Sequence, residues 1–297
     1  MPTSMELDIA GPVHVVDHGG TGKPILLVHG LGGSHVNWSA VAEPLTELGS
    51  VRAIDLIGFG RTPPADRSSA VDSQRDLVQA YLRDHADGPA VLVGNSMGGL
   101  ISMLVARATP ELVDSLVLVG PALPVVRPRV DAGVLRRLAL PLVPGLGPRS
   151  FRNAYEKAIE NPEDFLDEML GVVCADQSRI RPEDREQALA MARERVTMPW
   201  AGDAFVDAAR SIFRIVIRGR TFARRVASIE APALVVHGDQ DRLVDVASAR
   251  WLIRQRPGWR LEVLEGIGHV PQLEAPDQFL EIVGAWLADP TAGAAAS

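Results

Sequence analysis

The segment AVLVGNSMGG (residues 90–99) decides the fold that we predict from this sequence. Its first five residues are continuously apolar, as in a parallel strand that is buried on both faces. The chain then turns through Ser96 into an apolar stretch with helical periodicity. A serine nucleophile requires such a sharp turn from a strand into a helix, where larger side chains two residues before or after it would collide. The pattern Gly94-x-Ser96-x-Gly98 therefore predicts a nucleophile at Ser96.

Other apolar runs flank this segment and alternate with stretches of helical pattern. The runs are 25–29, 51–56, 115–119, 233–237 and 261–264. The helical stretches are 36–48, 70–85, 97–109, 247–255 and 272–287. Alternation of this kind predicts an α/β fold with a doubly wound, mostly parallel sheet. Residues 7–19 are predicted to add one or two edge strands.

The alternation stops after Gly120 and resumes near Ala231. Prolines punctuate the first part of this gap, and its remainder is helical in pattern, notably residues 182–196 and 205–226. We therefore predict a core domain of residues 1–120 and 231–297, with an all-helical cap, residues 121–230, inserted into it. The alternative is a long irregular excursion packed on the core, although structureless loops of that length are uncommon.

A serine hydroxyl needs a base, and the base needs an acid that orients it. Asp239 and Asp241 both follow the apolar run 233–237, and His269 lies in a glycine loop after the run 261–264. The carboxyl ends of parallel strands meet at one edge of a sheet, where ligands of such folds bind. The sequence therefore predicts Ser96 as nucleophile and His269 as base, with either aspartate as the acid.

The other histidines that we considered fit the role of base less well. His14 and His18 are expected far from that edge of the sheet, and His85 ends a surface helix. His29 and His237 end predicted strands just before a glycine, so we expect them to support loops by hydrogen bonding.

A second glycine-rich turn, HGLGG (residues 29–33), follows the first parallel strand. Such a turn can present a free amide, so Leu31 N–H is the predicted partner of Met97 N–H in binding an oxyanion. The alternatives are a plain turn or a phosphate-binding loop, but the glycine patterns of phosphate loops are absent here.

Composition excludes several classes of protein. The formal net charge of −7 argues against nonspecific attraction to nucleic acid. The single cysteine, Cys174, permits no disulfide within the chain, and no Cys/His cluster in the sequence suggests a metal site. We find neither a signal-peptide pattern nor a run of about 18 apolar residues, so a cytoplasmic location is expected by default. Nothing implies a metal or an organic cofactor.

Taken together, these segments closely resemble the α/β-hydrolase fold family. The resemblance rests on HGLGGS (29–34), DLIGFGRTP (55–63), GNSMGG (94–99), HGDQDRLVD (237–245) and GIGHVPQLEAPDQF (266–279). It implies that Asp241 is the acid and that the helical insertion covers the active site. Ile57 stands where many members have proline. Members with an aspartate nucleophile, such as haloalkane dehalogenases and epoxide hydrolases, are excluded by Ser96.

We expect cleavage of a carboxylic ester through an acyl-enzyme, with a small, apolar acyl compound as substrate. C–C bond hydrolases of vinylogous diketones, which the family also contains, commonly carry proline where this chain has Gly33. A ligand receptor without activity on the same fold is a further alternative. Six side chains of the predicted cap are candidates for an apolar pocket or for the cap's own core: Met169, Met191, Met198, Trp200, Phe205 and Phe213.

Overall fold

A computed structural model of the chain describes residues 2–124 and 146–289. Within these residues, eight strands form one sheet in the order β1-β2-β4-β3-β5-β6-β7-β8. The strands are β1 (Thr3–Asp8), β2 (Pro12–Gly19), β3 (Pro24–Val28), β4 (Ser50–Ile54), β5 (Ala90–Asn95), β6 (Val113–Val119), β7 (Ala233–Gly238) and β8 (Arg260–Leu264). The β1–β2 and β2–β4 pairs are antiparallel, and the other pairs are parallel. The predicted fold class is confirmed.

The apolar runs form strands because both faces of the sheet are buried. Successive side chains of a strand point to opposite faces. Accordingly, Leu26 and Leu92 pack into one hydrophobic core, whereas Leu27 and Val93 pack into the other. Runs that are apolar at every position therefore satisfy both cores at once.

Helices cover both faces of this sheet. The described helices are α1 (Val71–His85), α2 (Met97–Ala108), α3 (Leu146–Ile159), α4 (Pro162–Val173), α5 (Pro182–Arg195), α6 (Ala201–Val216), α7 (Gly219–Ala227), α8 (Val246–Gln255), α9 (Pro271–Glu274) and α10 (Pro276–Ala288). α1, α2 and α8 contribute to the core on one face, and α10 contributes to the core on the other. Among the described helices, none is long and apolar enough to cross a bilayer.

Two helix predictions were wrong in detail. Residues 36–48 do not form one helix but contain two 3₁₀ helices, His35–Trp38 and Pro44–Glu47. Residues 272–287 are divided at Ala275, between α9 and α10. In both places a proline begins the second helix, because proline lacks the amide that would continue the first one.

The N-terminal segment forms two strands, of which only β1 lies at the edge of the sheet. β2 runs antiparallel between β1 and β4. The start of β2 therefore lies beside the carboxyl end of β4, at the edge where β3 to β8 all end. We call this edge the carboxyl edge.

Between β6 and β7, the described residues 146–230 form helices and connecting loops without a strand. We call them the helical segment. Two small hydrophobic clusters lie within it or at its border with the sheet. The division of the chain into a core and an inserted cap stays a prediction. The proline-rich residues 125–145 and the C-terminal residues 290–297 lie outside the described residues.

Candidate active site

Ser96 occupies the turn between β5 and α2, at the carboxyl edge. Its backbone has φ 53° and ψ −112°, a conformation that is strained for a residue with a side chain. Ser96 N–H donates to Val119 O (2.9 Å), and Ser96 O accepts from the amides of Leu100 (3.1 Å) and Ala122 (2.9 Å). These contacts hold the strained turn in place, and the hydroxyl belongs to a half-buried side chain at its apex.

The glycines around Ser96 are required by close packing of the backbone. A Cβ on Gly98 would overlap the carbonyl oxygen of Val28, and a Cβ on Gly94 would lie 2.5 Å from Gly98 O. Any side chain at either position would therefore displace the turn. This is the collision that the sequence pattern predicts.

His269 lies in the loop between β8 and α9, with a buried side chain. Its Nδ1 atom is 2.6 Å from Asp241 Oδ2. Its backbone is held on two sides, because Asn95 Nδ2 donates to His269 O (3.2 Å) and His269 N–H donates to Val173 O (2.6 Å). Asn95 directly precedes Ser96, so one side chain ties the serine turn to the histidine loop. Sequence reasoning did not single out Asn95.

Ser96 and His269 also approach the same point of β6. A Cβ on Gly120 would lie 3.1 Å from His269 Nδ1 and 3.4 Å from Asp241 Oδ2. The residue before Gly120, Val119, accepts a hydrogen bond from the Ser96 amide. No hydrogen bond joins the His269 ring to Ser96 Oγ among the described residues. In unliganded enzymes such bonds are often long, and they tighten when substrate binds.

Of the two candidate acids, Asp241 contacts His269 and Asp239 does not. Asp241 Oδ1 accepts hydrogen bonds from the amides two and three residues further on (2.8 and 2.9 Å), which leaves Oδ2 facing the ring. Asp239 Oδ1 accepts from the amide of Gly266 (2.7 Å) and so supports the loop that carries His269.

Asp241 is ionised although it is buried. Burial raises the pKa of this carboxyl, but His269 and His237 outweigh burial and hold the pKa well below its ordinary value. His237 Nε2 lies 3.3 Å from Asp241 Oδ2 and 2.7 Å from Val244 O. An ionised carboxylate at Nδ1 keeps the proton of a neutral histidine on that nitrogen, which leaves Nε2 as the basic atom.

The amides of Leu31 and Met97 lie close to Ser96. Met97 is the first residue of α2, and Leu31 lies in the turn after β3. That turn reaches the serine directly, since a Cβ on Gly30 would lie 3.2 Å from Ser96 Cβ. Among the described residues, no protein acceptor takes either amide. Both can therefore donate to a ligand oxygen, and the amide of Met97 has the favourable field of a helix N-terminus.

The model of the α/β hydrolase fold family matches residues 23–276, from β3 to the start of α10. The chain belongs to the α/β hydrolase fold family. Membership supports hydrolysis as its reaction, and a small molecule as its substrate.

Proteins similar to this α/β hydrolase are named for different activities, and one of them is uncharacterized. It is 30% identical over 272 residues to an uncharacterized protein of Mycobacterium tuberculosis, covering 89% of this chain and 75% of that protein. It is 29% identical over 277 residues to 2-hydroxy-6-oxo-6-(2'-aminophenyl)hexa-2,4-dienoic acid hydrolase of Metapseudomonas resinovorans, covering 88% and 82%. The crystal structure of a membrane phospholipase A superposes with a TM-score of 0.70 at 29% identity, covering 96% and 84%.

His29 fixes the turn of this hydrolase that carries Leu31. Its Nε2 accepts from the amide of Leu56 (3.0 Å), so Nδ1 carries the proton and donates to Gly30 O (2.8 Å). Burial lowers the pKa of His29 to about 4, so the ring is neutral at pH 7. The hydrogen bonds are of the loop-supporting kind that the sequence predicts.

The helical segment reaches the same turn from above the sheet. Arg195 Nη2 donates to Gly32 O (2.6 Å), and a Cβ on Gly32 would lie 3.1 Å from the ring of Phe205. Phe205 packs against the cluster of Tyr155, Ile159 and Ala201, as does Met198. An apolar wall therefore stands beside the predicted oxyanion donors.

The other side chains proposed for an apolar pocket are exposed to solvent or pack within the helical segment itself. Met169 and Phe213 are 37% and 42% exposed, and Met191 is buried. Phe205 is thus the candidate that the structure brings next to the turn at Gly32. Sequence pattern alone could not separate it from the others, since all six are large apolar side chains on helices or connecting loops of the helical segment.

Glu274, a fully buried carboxylate, joins the helical segment to the histidine loop. It accepts hydrogen bonds from the amides of Gly268 (2.8 Å), Asp176 (2.9 Å) and Ala175 (3.1 Å). Gly268 directly precedes His269, so Glu274 fixes both the loop and its junction with the helical segment. Sequence reasoning quoted this glutamate within a motif but gave it no role.

A second pairing of histidine with aspartate lies at the same edge. Asp55, after β4, receives contacts from His14 Nδ1 and His35 Nδ1, each 2.9 Å from Oδ2. Burial raises the pKa of Asp55, but these two side-chain hydrogen bonds outweigh it and hold the pKa well below its ordinary value. The expectation that His14 lies far from this edge was wrong, because β2 runs antiparallel and places its start beside the end of β4. His35 was not singled out from the sequence.

Proposed function

We propose that this chain is a serine hydrolase that cleaves a carboxylic ester through an acyl-enzyme. The observation that carries the proposal is the 2.6 Å contact of His269 Nδ1 with buried Asp241, beside the strained turn of Ser96. Three groups that the chain supplies far apart in sequence thereby converge at one edge of the sheet.

In the proposed reaction, His269 Nε2 takes the proton of Ser96 as Oγ attacks the ester carbonyl. The amides of Leu31 and Met97 donate to the oxygen on which negative charge develops. Asp241 stabilises the resulting imidazolium, which then gives its proton to the departing alcohol. Water, activated by the same histidine, attacks the acyl-enzyme and releases the acid. No step requires a metal or an organic cofactor.

An apolar acyl group is the proposed substrate, because Phe205 and its cluster border the oxyanion donors. The phospholipase A neighbour supports the ester, since its name describes action on a lipid. The Metapseudomonas resinovorans relative is named a hydrolase of a 2-hydroxy-6-oxo-dienoic acid, which supports the second candidate, hydrolysis of a C–C bond in a vinylogous diketone. Gly33, at the position of the proline common in that group, favours the ester. The two-domain division and the cytoplasmic location stay predictions.

The test is a series of p-nitrophenyl esters of increasing acyl length, measured on the wild type and on Ser96→Ala. We expect kcat/KM of the variant to fall by at least about a thousandfold, with an unchanged melting temperature. Wild-type turnover by Ser96→Ala would contradict the assignment. Negligible ester turnover beside fast cleavage of a 2-hydroxy-6-oxo-dienoate would favour the second candidate instead.

The apolar wall is tested by Phe205→Ala, with Phe213→Ala as the matched control. Phe213 is 42% exposed on the same helix, α6. We expect Phe205→Ala to reduce kcat/KM for long acyl chains by about tenfold more than for acetate, since one buried apolar side chain contributes about 1.5–3 kcal/mol. Equal chain-length profiles for the two variants would remove Phe205 from the substrate site.

A further inference from the structure

The cluster around Asp55 has the donor set of a metal site. His14 lies on β2, His35 begins the 3₁₀ helix after the oxyanion turn, and Asp55 follows β4. One ligand atom from each of the three lies within 4.8 Å of the other two. Their sequence positions are far apart, so the cluster arises only through the fold.

Among the described residues, the side chains within ion-pair distance of Asp55 are imidazoles, without a lysine or an arginine. The Asp55 side chain is fully buried, and within the described residues its ion-pair partners are His14 and His35. Arg61 contributes its main-chain amide (2.9 Å to Oδ2), while its guanidinium pairs with Glu194. The amide of His35 donates to Oδ1 (2.6 Å). A buried carboxylate that lacks a lysine or arginine partner favours a bound cation.

We propose that His14 Nδ1, His35 Nδ1 and Asp55 Oδ2 bind a divalent first-row transition cation such as Zn²⁺. Two imidazoles and one carboxylate suit this class of metal and leave a further position for water. Donor atoms of a tetrahedral zinc site lie about 3.3 Å apart, so the two Nδ1–Oδ2 separations of 2.9 Å need to widen by only a few tenths of an ångström. The ring centroids of His14 and His35 are 4.9 Å apart, close to the about 5 Å that two imidazoles on one zinc ion require.

Binding of a metal at Nδ1 of a neutral histidine requires the ring to change its tautomer, because the proton on Nδ1 has to move to Nε2. In the structure, Nδ1 of each ring faces the carboxylate and carries the proton when the ring is neutral. A bound cation takes the place of that proton, which moves to Nε2. At His14 the Nε2 atom has an acceptor ready, since Ser4 Oγ lies 3.2 Å away. Such outer hydrogen bonds orient metal-bound histidines.

A cavity of about 160 Å³ borders the cluster on the side of His35. It is lined by His35, Ser4 and His18, among others. His18 Nε2 is buried and has no hydrogen-bond partner among the described residues. The cavity is large enough to hold water molecules. A metal site needs an entry path, and the cavity brings solvent as far as His35.

A cation at this site would link three segments that shape the carboxyl edge. His35 follows the turn that carries Leu31, and Asp55 opens the turn after β4. The expected effect is therefore stabilisation of the fold and of the oxyanion turn. This inference does not depend on the proposed ester hydrolysis, and its test has no activity readout.

The test is calorimetric titration of Zn²⁺ alone into the metal-stripped full chain. We expect one ion per chain, and affinity at least tenfold weaker in His14→Gln and in His35→Gln. His85→Gln, on α1, and His269→Gln are matched controls that should retain wild-type affinity within about twofold. Absence of binding would overturn the proposal. Binding with affinity unchanged in both ligand variants would also overturn it and show an adventitious ion only.

A second measurement covers the case in which the ligand variants do not fold. Co²⁺ added to the wild type should give intense visible absorption bands, which report low coordination number, and excess Zn²⁺ should abolish them. A spectrum equal to that of the aqueous cobalt ion would contradict the proposal.

Discussion

Two buried aspartates, Asp241 and Asp55, are each placed between two histidines at the carboxyl edge. In both carboxylates, Oδ1 accepts hydrogen bonds from backbone amides, and the imidazole nitrogens of two histidines lie close to Oδ2. The pKa of both carboxyls is well below its ordinary value, because the histidines outweigh burial. The electrostatic environment therefore does not distinguish them.

The difference lies in the partners of the rings. At Asp241, Nε2 of His237 is 2.7 Å from a carbonyl oxygen, whereas the loop of His269 is tied by Asn95 to the strained Ser96 turn. At Asp55, both rings direct Nδ1 to one oxygen, and the one hydroxyl described beside them, Ser4 Oγ at 3.2 Å from His14 Nε2, lies on the edge strand β1 and not in a strained turn from a strand into a helix. The same three groups thus suit proton transfer in one place and cation binding in the other. The following predictions test that distinction, in order of decreasing effect.

Asp241→Asn is expected to lower kcat by about 10⁴-fold, because asparagine cannot hold the required tautomer of His269 or stabilise its charged form. KM and the melting temperature should change little. The measurement is steady-state ester hydrolysis beside thermal unfolding. Asp239→Asn is the matched control, since asparagine can still accept from the amide of Gly266, and it should keep activity within a few-fold. Equal losses in both variants would mean that Asp241 has no special role.

The Asp55 site is tested through His29, whose Nε2 accepts a hydrogen bond from the amide of Leu56, the residue directly after Asp55. Its pKa is about 4 in the folded chain and 6.5 ordinarily. Between these values the unfolded chain binds a proton that the folded chain does not, so the free energy of unfolding falls as pH drops from 6.5 to 4. The contribution of His29 is up to about 3 kcal/mol. Urea unfolding across this range should show a smaller fall for His29→Gln. The same fall in both proteins would contradict the neutral, buried state of His29.

Glu274→Gln tests the support of the His269 loop. Glutamine replaces one acceptor with a donor, so an amide of Gly268, Ala175 or Asp176 loses its partner at a cost of about 1–3 kcal/mol. We expect a lower melting temperature and a kcat reduced by about tenfold, because the loop shifts. Glu265→Gln, an exposed change in the same loop, should alter neither. A stable, fully active Glu274→Gln variant would show that the loop is held by its other contacts.

His237→Gln should have the smallest effect, less than about tenfold in kcat. The glutamine amide can still donate to Val244 O, and only the 3.3 Å contact with Asp241 is weakened. The pH profile of kcat should keep its shape. A loss as large as that of Asp241→Asn would mean that His237 takes a direct part in the chemistry. The two histidines beside Asp241 would then not differ in role, although the account requires that they do.

Local features of the site were predictable from the sequence. The turn at Ser96 is encoded by neighbouring residues. Gly94 and Gly98 are required there because the backbone of the turn and the end of β3 leave no room for a Cβ atom at either position. The strands were predictable because burial on both faces requires continuous apolar runs. The spacing of the residues did not decide between Asp239 and Asp241, because both follow the same strand and only the path of the loop determines which faces His269. The family resemblance implied Asp241, which is the aspartate in contact with His269.

The Asp55 cluster could not be predicted, since it depends on pairing between distant segments. His14 reaches Asp55 across 41 residues through an antiparallel strand, whereas the other core strands are parallel. The helix predicted for residues 36–48 failed for a local reason, since Pro44 interrupts it. Pocket residues of the helical segment were equally hidden, because apolar helices look alike whichever surface they face.

The central claim is that the His269–Asp241 pair activates Ser96, and the most direct test is reaction with a fluorophosphonate. Intact mass and peptide mapping should show one phosphonyl group per chain, attached to Ser96, with the rate of labelling at least about a thousandfold lower in His269→Gln. Labelling at another residue, or an equal rate in His269→Gln, would contradict the account.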